Sequence, residues 1–225
     1  MLHCARSGVE THVICLTPGQ AASHRGGANS PAELAAIRRA EFAASCHILE
    51  VNHAEILDYE DAGLYRTDLL SVVQTLSAKI RSIRPHVMIT LGPEGAVTAH
   101  PDHSMASLFA TMAFHWAGRE SFFPEQLGHG VVPHRTQKLY YGTAQSAIPG
   151  RGPVSLAPIT LSIDIAPFLT AKLAAFKAHE TQGPIYPIFE QNVLRQGGKE
   201  HFHLAATITP GLARPEKNLF DGVSE

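Results

Sequence analysis

The stretch from His86 to Ser107, HVMITLGPEGAVTAHPDHSMAS, leaves this chain little freedom in how it folds. An apolar run, His86 to Leu91, follows Pro85 and reads as a buried parallel strand. Gly92, Pro93 and Gly95 break that run, and His100-Pro101-Asp102-His103 closes the stretch just before a long apolar segment. Proline suits the first turn of a helix, where its missing N–H would have no partner anyway. Strand, break and helix in this order put two histidines and an aspartate at a strand's carboxyl end. That is where open α/β sheets bind their ligands.

The same alternation runs through the first half of the chain. Leu2 to Ser7 reads as the last turns of a helix, with Gly8 as its stop. Thr11 to Thr17, THVICLT, is rich in β-branched residues and reads as a strand. A polar, Gly- and Ala-containing loop fills Pro18 to Asn29. Ser30-Pro31-Ala32-Glu33 then supplies an N-cap serine, a proline at N1 and a glutamate at N3, a capping box opening a helix to about Ser45 that carries Arg38, Arg39 and Glu41. His47 to Ile56 is the next expected strand, followed by an acidic turn, LDYEDAGL, from Leu57 to Leu64. Asp68 to Arg84 is an amphipathic helix, with Leu69, Val72, Val73, Leu76 and Ile80 at helical spacing. The His86–Leu91 strand and a helix from about His103 to Ala117 complete the series.

This order predicts a Rossmann-like α/β domain, its sheet mostly parallel and covered by helices on both faces. Beyond Gly118 the pattern weakens. Strands are expected at Lys138–Tyr141 and Pro158–Ile165 and a helix at Pro167–His179. The tail from Gly183 to Glu225 is loop-rich, with strand character only at His201–Ala206. With no repeat and no composition break, residues 1–225 read as one domain.

Composition excludes several classes. A net charge of −2 and the lack of a Lys/Arg stripe argue against nucleic acid. No run approaches the roughly 18 apolar residues of a membrane span, and the amino terminus lacks a signal-peptide pattern. Cys4, Cys15 and Cys46 are odd in number and widely spaced, which fits free thiols in a reducing cytoplasm. There is no GxGxxG, P-loop or GxSxG, which argues against nucleotide chemistry and a serine nucleophile. Histidine is abundant, fourteen in all and six of them between His86 and His134. Acid–base or metal chemistry is therefore the class to look for.

His100-x-x-His103 with Asp102 between is the leading candidate. Catalytic zinc takes three protein ligands and keeps a fourth position for a water that becomes the nucleophile. His103 can ligate, His100 can face the substrate and stabilise an oxyanion, and Asp102 can orient either ring. The blander alternative is a pair of helix-start histidines with a capping aspartate. Other residues read more plainly: His179 as a favourable charge at a helix C-terminus, Arg38 and Glu41 as a solvated ion pair, Asp61 as a turn former. His201 and His203 share one face of a strand and read as surface histidines.

Taken together these segments resemble the LmbE-like, or N-acetylglucosaminyl-phosphatidylinositol de-N-acetylase (PIG-L), family. The resemblance rests on Gly92-Pro93-Glu94-Gly95 and His100-Pro101-Asp102-His103. It extends to VICLTPGQA (Val13 to Ala21), Arg38-x-x-Glu41, the turn holding Asp61, and Lys172…His179-x-Thr181-Gln182. It implies a zinc-dependent hydrolase that removes an acetyl or related acyl group from an N-acetylglucosamine-type sugar conjugate. On that basis His103 would be a zinc ligand and His100 would polarise the carbonyl or protonate the leaving amine. Asp102 would support them, and Arg38 and Asp61 would contact the sugar. The expected partner is a small N-acetylated sugar conjugate in the cytoplasm, and a homo-oligomer is compatible with this size.

The family's AHPDD-type motif, which supplies a His and an Asp to zinc and a second Asp as base, has no match here. One ligand cannot hold catalytic zinc. The lack of that strand also predicts an unpaired sheet edge. Two explanations follow: an upstream segment is missing from this sequence, or the chain is a relic that binds sugar without hydrolysing it. The helix stub at the start and the well-kept HPDH turn favour the first.

Overall fold

In the computed structural model, which describes residues 1–148, 154–211 and 215–224, helices and strands alternate through the first half much as the pattern predicts. The elements are α1 (Leu2–Arg6), β1 (His12–Cys15), α2 (Pro31–Ile48), β2 (His53–Ile56), α3 (Leu69–Ile83) and β3 (Val87–Leu91). There follow α4 (Pro101–Trp116), β4 (Lys138–Thr143), β5 (Leu161–Asp164), α5 (Leu169–Lys177), α6 (Tyr186–Arg195) and β6 (Lys199–Thr207). The backbone gathers into two units, Met1–Leu64 with Asp164–Lys199, and Tyr65–Ile163 with Glu200–Glu225.

The first unit is built on a parallel pair, with His12 opposite His53 and Cys15 opposite Ile56. Thr11 and Asn52 lock this register just before the strands begin. The Thr11 amide and hydroxyl both donate to Asn52 Oδ1, at 2.9 and 3.0 Å, and the Asn52 amide donates back to Thr11 Oγ1. Helix α2 starts where the sequence says. Ser30 Oγ accepts from the Glu33 amide at 3.1 Å, while Glu33 reaches past the cap to the Asn29 amide at 2.8 Å.

The end of α2 differs from expectation. The helix continues through His47 and Ile48, so the strand expected from His47 shrinks to His53–Ile56. Ser45 and Cys46 are buried on the inner face, and a reversal at Glu50, φ 53°, delays the strand. Helix α5 packs on α2, and Ala175 and Leu34 are buried. The turn before α5, Ala166–Phe168, is a 3₁₀ helix rather than the helix start expected at Pro167. The tail contains a helix the sequence reading missed, α6, with a proline in its first turn and Val193 buried.

The second unit carries a four-stranded sheet in the order β3-β4-β6-β5. Strands β3 and β4 are parallel, with Val87 opposite Lys138, and β6 runs antiparallel to β4 with a bulge at Leu139/Tyr140. The strict βα alternation ends at α4, and the sheet beyond it is mixed. β3 pairs with β4 on one side only among the described strands, and Ile89 on it is 45% exposed. Helices α3 and α4 pack together, and Val72, Val73, Phe109 and Ala113 are fully buried. Asp68 caps α3 and Arg84 ends it in the left-handed region.

Arg81 is the largest fully buried side chain among the described residues. Its guanidinium donates to the carbonyls of Ala117, Arg119, Phe122 and Phe123 and to Gln126 Oε1, gathering the chain that follows α4. Burial lowers its pKa, yet five acceptors stabilise the charge where it lies. The tail is tied down in the same way. Glu216 takes a buried ion pair from Lys138 and a hydrogen bond from the Tyr140 hydroxyl at 2.6 Å. Burial beside that carboxylate raises the Tyr140 pKa and keeps the phenol protonated.

Candidate functional site

The HPDH turn lies at the carboxyl end of β3, in the second unit. The chain leaves β3, passes Gly92-Pro93-Glu94-Gly95, makes a 3₁₀ turn at Ala96–Thr98, and enters α4 at Pro101. Gly95 sits at φ +86°, and a Cβ there would come within 2.7 Å of the His100 carbonyl oxygen. No other residue fits this position without moving the turn. The Gly95 carbonyl then receives the His100 amide at 3.2 Å, which closes the loop onto the helix start.

Each histidine has its tautomer set by this backbone. His100 is the N-cap of α4, and its Nδ1 accepts from the Asp102 amide at 3.2 Å. An accepting Nδ1 leaves the neutral ring's proton on Nε2. His103 is the reverse case. Its Nδ1 lies 3.3 Å from the Gly95 carbonyl, which can only accept, and 3.0 Å from Thr98 Oγ1, whose own hydrogen is directed to that carbonyl. Nδ1 therefore carries the proton and Nε2 offers a lone pair, the form that binds metal. Burial lowers the His103 pKa, with His100 adding to the effect, and favours this neutral form. The two rings lie 5.2 Å apart, centre to centre. Asp102 is buried at 7% exposure in the first turn of α4. Glu94, which the sequence reading quoted without a role, has a buried carboxylate oxygen with no partner among the described residues.

In the first unit the structure brings together residues far apart in sequence. Glu41, expected to pair with Arg38 in solvent, is buried instead and takes both donors of Thr181, the amide and the hydroxyl, each at 2.7 Å. Arg38 hydrogen-bonds the side-chain oxygen of Gln182, the assignment of that amide which satisfies both groups. The solvated ion pair is thus replaced by two contacts to the segment after α5. Helix α2 turns both residues toward α5, which a single helical spacing could not reveal.

Burial lowers the Arg38 pKa, opposed by Glu41 and Asp61. Asp61 accepts from the Ala21 amide at 2.9 Å and the Thr17 hydroxyl at 3.3 Å, holding the loop beyond β1. Its turn-forming role is therefore to anchor another loop as well as its own. Gly19, at φ +75°, lets that loop pass against the Arg38 side chain. His179 follows α5 beside this cluster, its pKa lowered by burial and raised in part by Glu41. His201 and His203 engage Ser162 Oγ and the Pro158 carbonyl, both at 2.8 Å, and His201 is buried rather than on the surface.

Among the described residues, one group of three His, Cys, Asp or Glu side chains is spaced for a metal ion, and it is Glu10, His12 and His53. His103 is not part of it. The donors described at the HPDH turn therefore do not by themselves fit a catalytic zinc, which takes three protein ligands. The Glu10 group carried no signal in the sequence. Glu-x-His and a lone histidine 41 positions later become one cluster only when the β1–β2 register is known. Cys4, Cys15 and Cys46 form no disulfide among the described residues, and burial raises the pKa of Cys15 and Cys46.

Residues 1–114 match the family described as GlcNAc-PI de-N-acetylase, PIG-L. The chain is 28% identical to 1D-myo-inositol 2-acetamido-2-deoxy-alpha-D-glucopyranoside deacetylase 2 of Catenulispora acidiphila, with 91% of this chain and 82% of that protein aligned. The deacetylase of the corresponding name from Rhodococcus erythropolis is 31% identical, over 73% of this chain and 68% of its own length. Among solved structures, N,N'-diacetylchitobiose deacetylase from Pyrococcus horikoshii matches with a TM-score of 0.74 at 22% identity. The match covers 94% of this chain and 80% of that one, and it establishes the α/β fold.

Proposed function

Because the chain belongs to the PIG-L, or GlcNAc-PI de-N-acetylase, family, we propose that its HPDH turn is the acyl-handling part of an N-deacetylase site for N-acetylglucosamine-type sugar conjugates. The observation that carries this reading is the pair of complementary tautomers at His100 and His103. In the proposed complex His100 Nε2–H donates to the amide carbonyl oxygen and stabilises the charge that develops there. Water supplies the hydroxyl that makes the amide carbon tetrahedral, and when the C–N bond breaks the leaving nitrogen takes the proton of His100 Nε2–H, which the proton given up by that water replaces. Asp102 supports His100 from the first turn of α4, its amide holding the ring through Nδ1. In the same turn the partnerless oxygen of Glu94 suits a sugar hydroxyl.

The metal in the proposal is zinc, and His103 is the one ligand that the described residues of this turn supply. The ligand shortfall favours a second reading for the chain by itself, a domain of residues 1–225 that holds the sugar without releasing acetate. A cytoplasmic setting remains part of the proposal, and no described helix is long and apolar enough to cross a membrane. Titration calorimetry with an N-acetylglucosamine–inositol conjugate tests the site. The wild type is expected to bind saturably and His100→Ala about tenfold or more weaker, a loss of about 1.4 kcal/mol. Equal affinity in the two proteins would remove His100 from the site, and no binding by either would remove the sugar reading.

A further inference from the structure

The three side chains at the start of the β1–β2 pair have no place in the deacetylase site. Glu10 Oε1 lies 3.1 Å from His12 Nε2 and 3.0 Å from His53 Nε2. The donor atoms of all three residues fall within 4.8 Å of one another. The two imidazoles stack, with centres 4.4 Å apart and planes 19° from parallel. This arrangement is fixed by the backbone, since His12 and His53 are opposite each other at the first positions of the two strands. The Thr11–Asn52 hydrogen bonds hold the register at the neighbouring positions.

The two carboxylate–imidazole spacings suit a shared metal ion. A tetrahedral ion with bonds of about 2.0–2.1 Å separates its ligand atoms by about 3.3 Å. Both Glu10–imidazole distances lie close to that value. Two imidazoles and one carboxylate are also the donor mixture that a borderline divalent cation accepts, with its remaining positions filled by water. Glu10 and His53 side chains are 67% and 60% exposed, so an ion reaches the cluster directly from solvent. Within this unit Asp61 and Thr17 lie beyond the carboxyl ends of the strands, whereas this cluster lies at their amino ends.

We propose that Glu10, His12 and His53 form a separate site for a zinc-class divalent cation, one that joins β1 to β2 at their amino ends. The site uses no residue of the proposed deacetylase centre and stands whether or not that reading does. An ion bound here holds the native register and is released when the strands part, so it stabilises the fold.

The test uses the tag-free 225-residue chain, stripped with chelator and dialysed against zinc chloride. His53→Gln, His12→Gln/His53→Gln and His103→Ala are compared with the wild type. The wild type is expected to bind one zinc equivalent that both His53 variants lose and His103→Ala keeps. Zinc should raise the melting temperature of the wild type and of His103→Ala, and leave His53→Gln unchanged. His53→Gln alters one exposed side chain, so it reports on binding even if the double variant folds poorly. The same stoichiometry in wild type and His53→Gln, or loss of the equivalent in His103→Ala alone, would overturn the site.

Discussion

At the residue scale, His100 and His103 show how one backbone gives two neighbouring imidazoles opposite chemistry. An amide donor meets Nδ1 of His100, while acceptors meet Nδ1 of His103. One ring is left to donate from Nε2 and the other to ligate from Nε2. Glu41 shows the complementary case, a buried carboxylate made tolerable by two donors from Thr181. Thr181→Val removes the hydroxyl and leaves one carboxylate oxygen without its donor. Such a loss costs about 1–3 kcal/mol. A urea-unfolding midpoint shifted by that amount is expected, and an unchanged midpoint would show that water replaces the hydroxyl freely. Nothing local in the sequence identifies this contact, because Glu41 and Thr181 are 140 positions apart. By contrast, every group that sets the His100 and His103 tautomers lies between Gly95 and His103, so the turn itself is local, although the sequence assigns neither tautomer.

At the scale of elements, sequence and structure agree wherever a cap or a break is encoded locally. Ser30, Asp68 and Pro101 each begin a helix as their chemistry requires. The misreadings fall where tertiary packing overrides local pattern. Helix α2 keeps His47 and Ile48 because its inner face stays buried to Cys46. Helix α6 was hidden by Gly183, Pro184 and Pro187, which read as loop residues although proline suits a first helical turn. The positive φ of Gly95 is the least replaceable feature of the HPDH element. Gly95→Ala places a Cβ against the His100 carbonyl, with strain of about 1–3 kcal/mol. Lower stability together with lost sugar binding is expected by denaturant titration and calorimetry. A variant with wild-type values in both would show that the turn is not held as described.

At the scale of the whole molecule, half-buried histidines set the pH range of stability. His134, hydrogen-bonded to the Pro85 carbonyl at 2.9 Å, and His179 both have pKa values lowered by burial. As pH falls below the ordinary histidine value of about 6.5, the unfolded chain binds protons that these folded rings refuse, and stability falls. Above that value both states are neutral at these groups and the effect is absent. Melting temperatures are therefore expected to hold steady from about pH 8 to 7 and to drop as pH moves from about 6.5 to 5. The drop should shrink in the His134→Gln/His179→Gln double variant. An equal drop in wild type and double variant would assign the loss to other groups.

The central claim is that this chain carries an N-deacetylase turn whose described donors fall short of a catalytic zinc site. Acetate release tests it most directly, with the 225-residue chain, an N-acetylglucosamine–inositol conjugate and added zinc. The account predicts bound sugar and acetate no higher than in a protein-free control. Sustained release that disappears in His103→Ala would contradict it, because the residues described here would then suffice to hold the metal and activate water.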